Sequence, residues 1–419
     1  MLTAMVVVVL TAIYVVGLFL LWDVFNVEHS LDKLLDIDLY AKEYSPDSST
    51  AVTVTLDGKT VTDSEEKLLR DYFIFWYAGL GAKKAEKISR FYAVQVNSEL
   101  FDELALDYEI SLANASPVDL SFDTCSLTIK VTRRHAVTKS EKVEIDMELS
   151  GQIDYTSTGR PCLIRGEKHS FVLSTESKNP RIEEHTTDRP SVIYANYGLD
   201  RVLAENKLVR SDLAYTFFPK YTASALKMMQ SEIADLELLP PNRSAYPEAE
   251  YEYDRSAAAN AAINGFSGSG GFSVYEENDA NFISRCIFES GIPMDAQGER
   301  YDQWKWYDEE ISTERKKTGC SRSWFDRAMF YRYIRDNSGF GMAGCETATG
   351  GGEIGDVVQL MQDGEPIREL MITGVAAEAD GTVRDYLVSN DVYSSVPLIM
   401  LGCTEFRVLH NVGYNTANI

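Results

Sequence analysis

Histidine is scarce in this chain: five occur in 419 residues, and none lies between His185 and His410. Imidazole chemistry in that long stretch would therefore depend on His410, close to the chain's end. Basic side chains are also outnumbered. Lys and Arg total 40 against 64 Asp and Glu, for a net charge of −24. Such a surface repels phosphate backbones, which excludes a nucleic-acid partner. It also repels anionic headgroups, which excludes a peripheral membrane protein working through a basic face. No C-x-x-C or His/Cys spacing suggests a metal site. The Gly/Ser loop at 267–271 lacks the G-K-[ST] ending of a phosphate cradle, Gly350-Gly351-Gly352 reads as a flexible turn, and no cofactor motif appears. No internal repeat is evident.

What is present begins at the amino terminus. No charged side chain falls between Leu2 and Trp22, and the segment runs through Met5-Val6-Val7-Val8-Val9-Leu10 to Leu20-Leu21-Trp22. About twenty residues at about 1.5 Å each cross a hydrocarbon core of about 30 Å, and an indole favours the headgroup layer. A cleaved signal peptide would need a basic leader and a small-residue cleavage site, and neither is found. We read residues 1–22 as an uncleaved transmembrane anchor, with the membrane as partner through residues 2–22. Asp23, Glu28, Asp32, Asp36 and Asp38 follow against a lone Lys33, unlike a cytoplasmic flank. The expectation is a single-pass protein of the cell membrane with its bulk extracytoplasmic.

Six cysteines fit either compartment. Cys125 with Cys162, and Cys320 with Cys345, could form disulfides; all six could equally be small buried thiols.

Residues 23–59 read as a stalk with entry strands. Alternation around Asp57-Gly58 suggests a hairpin. Thr62-Asp63-Ser64-Glu65 caps a helix carrying Leu68, Leu69, Tyr72, Phe73, Phe75 and Trp76, and a second helix is expected from Ala82 to about Asn97. Strands follow at Leu127–Val131, Val143–Leu149 and Phe171–Leu173. One or two helices before a curved antiparallel sheet make an α+β middle domain over 60–185, of a shape suiting a cystatin-like or nuclear-transport-factor-like cone. His135, His169 and His185 read as surface or edge imidazoles. Residues 186–250 form a helical connector, with a linker at Pro240-Pro241-Asn242-Arg243-Ser244.

From Tyr251 onward the chain carries 26 acidic and 14 basic residues, and the motifs become specific. Tyr253-Asp254-Arg255 opens a short helix. Asn278-Asp279-Ala280-Asn281-Phe282-Ile283-Ser284-Arg285-Cys286 leads to Gly291-Ile292-Pro293-Met294. Ser321-Arg322-Ser323-Trp324, Gly355-Asp356-Val357 and Arg368-Glu369-Leu370-Met371-Ile372-Thr373-Gly374 follow. In this order they resemble the putative amidase domain family of Gram-positive bacteria, within the papain-like cysteine peptidase and cell-wall amidase superfamily, over about 251–405. The resemblance implies a papain-like α+β domain at 251–419. In such enzymes a cysteine sits at a helix start and a histidine opens a strand of the adjoining sheet.

Here both positions are replaced. The motif places Asp279 at the nucleophile, Arg368 at the histidine and, more loosely, Val388 at the third polar position, with Asp391 just beyond. An aspartate cannot replace a thiolate in amide acyl transfer without a very different site, and a guanidinium stays protonated and cannot act as a general base. An Asp279–Arg368 ion pair would explain both replacements together; independent drift into solvent is the alternative. Asn281, Trp304, Trp306, Trp324 and Asp391 are candidate cleft residues, with the tryptophans (and Tyr307) either facing a glycan or filling the core.

Two readings follow. One is a membrane-anchored pseudoenzyme that binds or scaffolds a cell-wall component or envelope protein. The other is a working cell-wall amidase or peptidase with a rearranged site. A purely structural assembly component, with 60–240 as its interaction surface, is a third.

Overall fold

The computed structural model describes residues 52–416, apart from 58–60, 85, 95, 138–139, 176–178, 267–274, 276–277, 297–304 and 309–319. The anchor and most of the stalk lie outside the described residues, as does Trp304. Among the described residues no helix is long and apolar enough to cross a membrane.

The chain is a mixed α+β protein built on two sheets. Strand β1 (Val52–Asp57) precedes helix α1 (Asp63–Gly81). At its start the Thr62 hydroxyl accepts from the Glu65 N–H at 3.3 Å, while the Glu65 carboxylate accepts from the Thr62 N–H at 2.9 Å. This is the reciprocal cap that the sequence predicts. Instead of folding back as a hairpin at Asp57-Gly58, β1 pairs in parallel with β2 (Phe122–Ala136). The second helix is also displaced: α2 begins at Asn97 and runs to Ala115, after only a 3₁₀ turn at Ile88–Phe91. The apolar stripe of Leu100, Leu104, Ala105, Tyr108 and Leu112 recurs at helical spacing and is buried, whereas 82–96 has no comparable stripe.

Strands β3 (Lys142–Tyr155), β4 (Cys162–Ser174) and β5 (Arg181–Thr187) extend the sheet in antiparallel fashion. Its inner face covers α1 and α2. Helices α3 (Pro190–Glu205) and α4 (Phe218–Ala234) pack on α2, so the connector is part of the same body.

The distal part contains α5 (Arg255–Asn264), α6 (Asp279–Glu289), the single turn α7 (Arg322–Phe325) and α8 (Arg327–Asp336). Its strands are β6 (Gly341–Thr347), β7 (Val357–Gln362), β8 (Glu365–Ala377), β9 (Val383–Ser389), β10 (Tyr393–Ser394), β11 (Val396–Pro397) and β12 (Phe406–Asn415). Six of these form the second sheet in the order β11-β9-β8-β7-β12-β6. One face packs on the helices through Ile283, Cys286, Trp306, Trp324, Phe330 and Leu409. The other face joins the apolar core of the middle domain, through Val358, Leu360, Leu370, Ile372 and Val408.

The two parts are also stitched by hydrogen bonds. Strand β10 leaves the second sheet and pairs with β4, Tyr393 opposite Ile164. Arg165, beside a register shift in β4, donates to the carbonyls of Ala262, Ile263 and Asn390. The first two belong to the last turn of α5, whose carbonyls lack intrahelical partners and where a cation is favoured.

No disulfide joins any of the six cysteines. Cys125 and Cys162 both face Ile153 of the strand between them, which puts them two strand spacings apart, about 10 Å. That exceeds the reach of a disulfide, about 7 Å between Cα atoms.

Candidate functional site: the head of helix α6

Asp279 is the first residue of α6, where exposed N–H groups favour an anion. It is 2% exposed. The side chain opposite is not Arg368 but Arg327, the first residue of α8. The Arg327 Nε lies 2.9 and 3.0 Å from the two carboxylate oxygens, and Nη2 lies 2.9 Å from Oδ1. The Glu369 backbone N–H donates to Oδ2 at 2.7 Å. Both oxygens are thus engaged in charge-assisted bonds.

The expected Asp279–Arg368 pair does not form, for a simple reason of strand geometry. Neighbouring residues of a strand point to opposite faces. On β8, Glu369 faces α6 and α8, which sends Arg368 to the other face. There its Nη2 donates to the Asp188 carbonyl at 3.0 Å, at the end of the middle domain's sheet. Arg368, which the resemblance places at the histidine position, therefore makes a contact between the two parts of the chain.

Beneath Asp279 lies a buried polar layer. Gln359 Nε2 donates to Glu369 Oε1 at 2.7 Å and to the Arg327 carbonyl at 2.8 Å. Arg407 Nε donates to Gln359 Oε1 at 2.7 Å. Glu369 is fully buried and its other carboxyl oxygen has no partner. Burial, and then the Asp279 charge, push its pKa up to about 8. It is a carboxylic acid at neutral pH.

Val388 is buried in the shared core, paired with Ile372. Its side chain offers no hydrogen bond. Asp391 is part-buried, with one oxygen unpartnered; burial and then the Asp279 charge push it up to about 6, against the pull of Arg368. Of the three positions the resemblance marks, only Asp279 lies in this polar layer; Arg368 and Val388 face the middle domain across the sheet.

The cleft candidates are mostly packing. Trp324 and Trp306 are fully buried, with ring centroids 4.7 Å apart. Trp324 Nε1 donates to Asn281 Oδ1 at 2.7 Å, and Trp306 Nε1 donates to Ser284 Oγ at 2.9 Å. The Ser284 hydroxyl donates to the Trp324 carbonyl at 2.8 Å. Buried indole N–H groups need such partners. The N-F-I-S and S-R-S-W motifs therefore clamp each other.

The other motifs form a second clamp. Asp254 caps α5 by accepting from the Ala257 N–H at 2.9 Å, and the Tyr253 hydroxyl donates to the Gly355 carbonyl. Arg255 Nη1 donates to Asp356 Oδ1 at 2.7 Å. Asp356 also contacts His410 Nδ1 at 2.8 Å. His410, though close to the chain's end, sits buried in β12, between β7 and β6.

Cys345 faces His410 directly across the β6–β12 ladder. Yet no hydrogen bond joins thiol to imidazole, and burial followed by the Asp356 charge pushes the thiol up to about 11. Cys286 is fully buried among apolar side chains, which raises its thiol well above the usual range. Neither Cys345 nor Cys286 is poised as a thiolate.

Sequence reasoning missed Arg327 and Glu369. Arg327 follows the S-R-S-W motif closely and stands 48 positions from its partner, a separation that carries no local signal. Glu369 was legible only as the neighbour of Arg368.

No curated protein and no solved structure matches the chain. Residues 251–396 match the family model described as "Putative amidase domain".

Proposed function

We propose that the amidase-like domain is catalytically silent and serves binding or scaffolding at the cell envelope. In this reading residues 2–22 anchor the chain in the cell membrane, and the bulk faces outward. The distal domain is papain-like, with α6 leading into an antiparallel sheet. The middle domain is a cone of one curved sheet around α1 and α2. Its partner is a wall component or an envelope protein.

One observation carries the reading. The side chain at the nucleophile position is a buried carboxylate with both oxygens engaged by Arg327 and the Glu369 N–H. A carboxylate so held can neither attack a carbonyl nor take up a proton without first losing its partners. The guanidinium at the base position points at the middle domain.

The alternative, an amidase with a rearranged site, finds support in the Cys345, His410 and Asp356 neighbours. Incubating the full chain, in detergent, with muropeptides decides between them. The proposal expects no released product. Release that disappears in Cys345→Ser or His410→Gln would overturn it.

A further inference from the structure

The middle domain contains a buried chain of four ionisable side chains that the amidase resemblance does not touch. His185 Nδ1 lies 2.7 Å from Asp102 Oδ2. His185 Nε2 lies 2.9 Å from His169 Nδ1, and His169 Nε2 lies 3.0 Å from Glu167 Oε1. Both imidazole side chains are nearly inaccessible, at 3% for His169 and 2% for His185. The rings stack with centroids 5.2 Å apart.

Three links join these four groups, and each link needs one hydrogen. Ionised carboxylates only accept, and two neutral imidazoles bring one N–H each. The chain is therefore one hydrogen short unless it holds an extra proton. The surroundings say where it sits. Burial drives Glu167 up, but Arg189 beside it, with bonds from His169 and Tyr393, holds it well below the usual carboxylate range. Glu167 is thus ionised and takes its hydrogen from His169 Nε2. Burial, outweighing the Glu167 contribution, lowers His169. A neutral His169 then has a bare Nδ1, which accepts from His185 Nε2. The remaining hydrogen must lie between His185 Nδ1 and Asp102.

We propose that His185 and Asp102 hold one buried proton as an imidazolium–carboxylate pair, and that this proton makes the packing of the middle domain sensitive to pH.

Every element packed on the pair agrees with it. From α1, the Tyr72 hydroxyl donates to Asp102 Oδ2 at 2.6 Å; the same oxygen accepts from Tyr92, just ahead of α2. Burial raises both phenols well above their usual range, so they remain donors. Were Tyr72 to donate instead to His185 Nδ1, 3.2 Å away, the 2.7 Å contact with Asp102 would set lone pairs face to face. Ahead of α3, Arg189 contacts Glu167 at 3.1 Å, the Tyr77 hydroxyl of α1 at 2.7 Å and Glu109 of α2 at 2.5 Å. From β10, the Tyr393 hydroxyl donates to Glu167 Oε2 at 2.6 Å. Asp102 and His185 also line a cavity of about 780 Å³ between α2, β5 and α3, which gives the proton a route to solvent.

The sign of the pH effect follows by linkage. Above about pH 6.5 an unfolded histidine is neutral, so the folded chain binds one proton more than the unfolded chain. The contribution is complete below that pH and is lost as pH rises through the release of the proton. In that window the unfolding constant should rise by up to about tenfold per pH unit. This holds whether or not the distal domain is catalytic.

The test uses the full chain in detergent, labelled with ¹⁵N-histidine. At pH 7.5 both ring nitrogens of His185 should carry hydrogen, while His169 shows one bare nitrogen. A bare nitrogen on His185 would overturn the proposal. The variant Asp102→Asn supplies an amide N–H to His185 Nδ1 and completes the chain without the proton. Its pH slope should be smaller than the wild-type slope by the equivalent of one proton; an unchanged slope would also overturn the proposal. If the variant fails to fold, the wild-type spectrum still decides.

Discussion

Two part-buried guanidiniums sit in the polar interior of the two parts, and they differ in how completely their partners are matched. In the middle domain, Arg189 meets Glu109 and Glu167, and the carboxylates find further donors in Trp76, Ser191, His169 and Tyr393. In the distal domain, Arg327 meets Asp279, but neighbouring Glu369 keeps an unpartnered oxygen and stays protonated. The first is a closed structural network. The second leaves a buried carboxyl oxygen unmatched, where native proteins leave few buried polar atoms unsatisfied.

The comparison breaks most sharply at Arg189. Arg189→Ala would strand two fully buried carboxylates, where removing one partner of a single buried pair costs about 3–5 kcal/mol. That approaches the whole stability of a domain, about 5–15 kcal/mol. Chemical denaturation should show a grossly destabilised or unfolded chain. A loss within about 1 kcal/mol, as for an exposed pair, would mean the network is not buried in solution.

Glu369 tests the other side. Its folded pKa, about 8, stands above the ordinary 4.5. The folded state then binds more protons, so this group's contribution to stability falls as pH rises from about 4.5 to about 8 and is flat beyond. Glu369→Gln should remove that slope and stabilise the chain at pH 8, measured as unfolding midpoint against pH. An unchanged slope would contradict a protonated Glu369.

The smallest effect is expected at Trp306. Trp306→Phe keeps most of the packing but removes the donor to Ser284, costing about 1–3 kcal/mol for the lost bond and the gap left behind. No change would return Trp306 to the role of a free groove residue.

How much of this was legible beforehand depends on the range of the interaction. The Thr62–Glu65 cap and the alternating strands β2, β3 and β4 are local, and the sequence carries them. The distal motifs were legible as a family pattern, but not as clamps, because Arg255 meets Asp356 and Asn281 meets Trp324 only after folding. His169 and His185 were misjudged as edge imidazoles. Glu167, His169, Phe171 and Leu173 alternate on the buried face of β4, a pattern present in the sequence but masked by the polarity of its first two members. The parallel pairing of β1 overrode its Asp-Gly signal because β2 is long enough to receive it in register.

The central claim is that the head of α6 carries a committed ion pair in place of a nucleophile. The most direct measurement is a double-mutant cycle on Asp279→Asn and Arg327→Met, read by equilibrium unfolding of the full chain. The account predicts that the double variant is more stable than the sum of the single losses allows, by about 2 kcal/mol or more, as for a coupled buried pair. Additivity within about 0.5 kcal/mol would show that Asp279 is not held by Arg327, and the carboxylate would be free for chemistry after all.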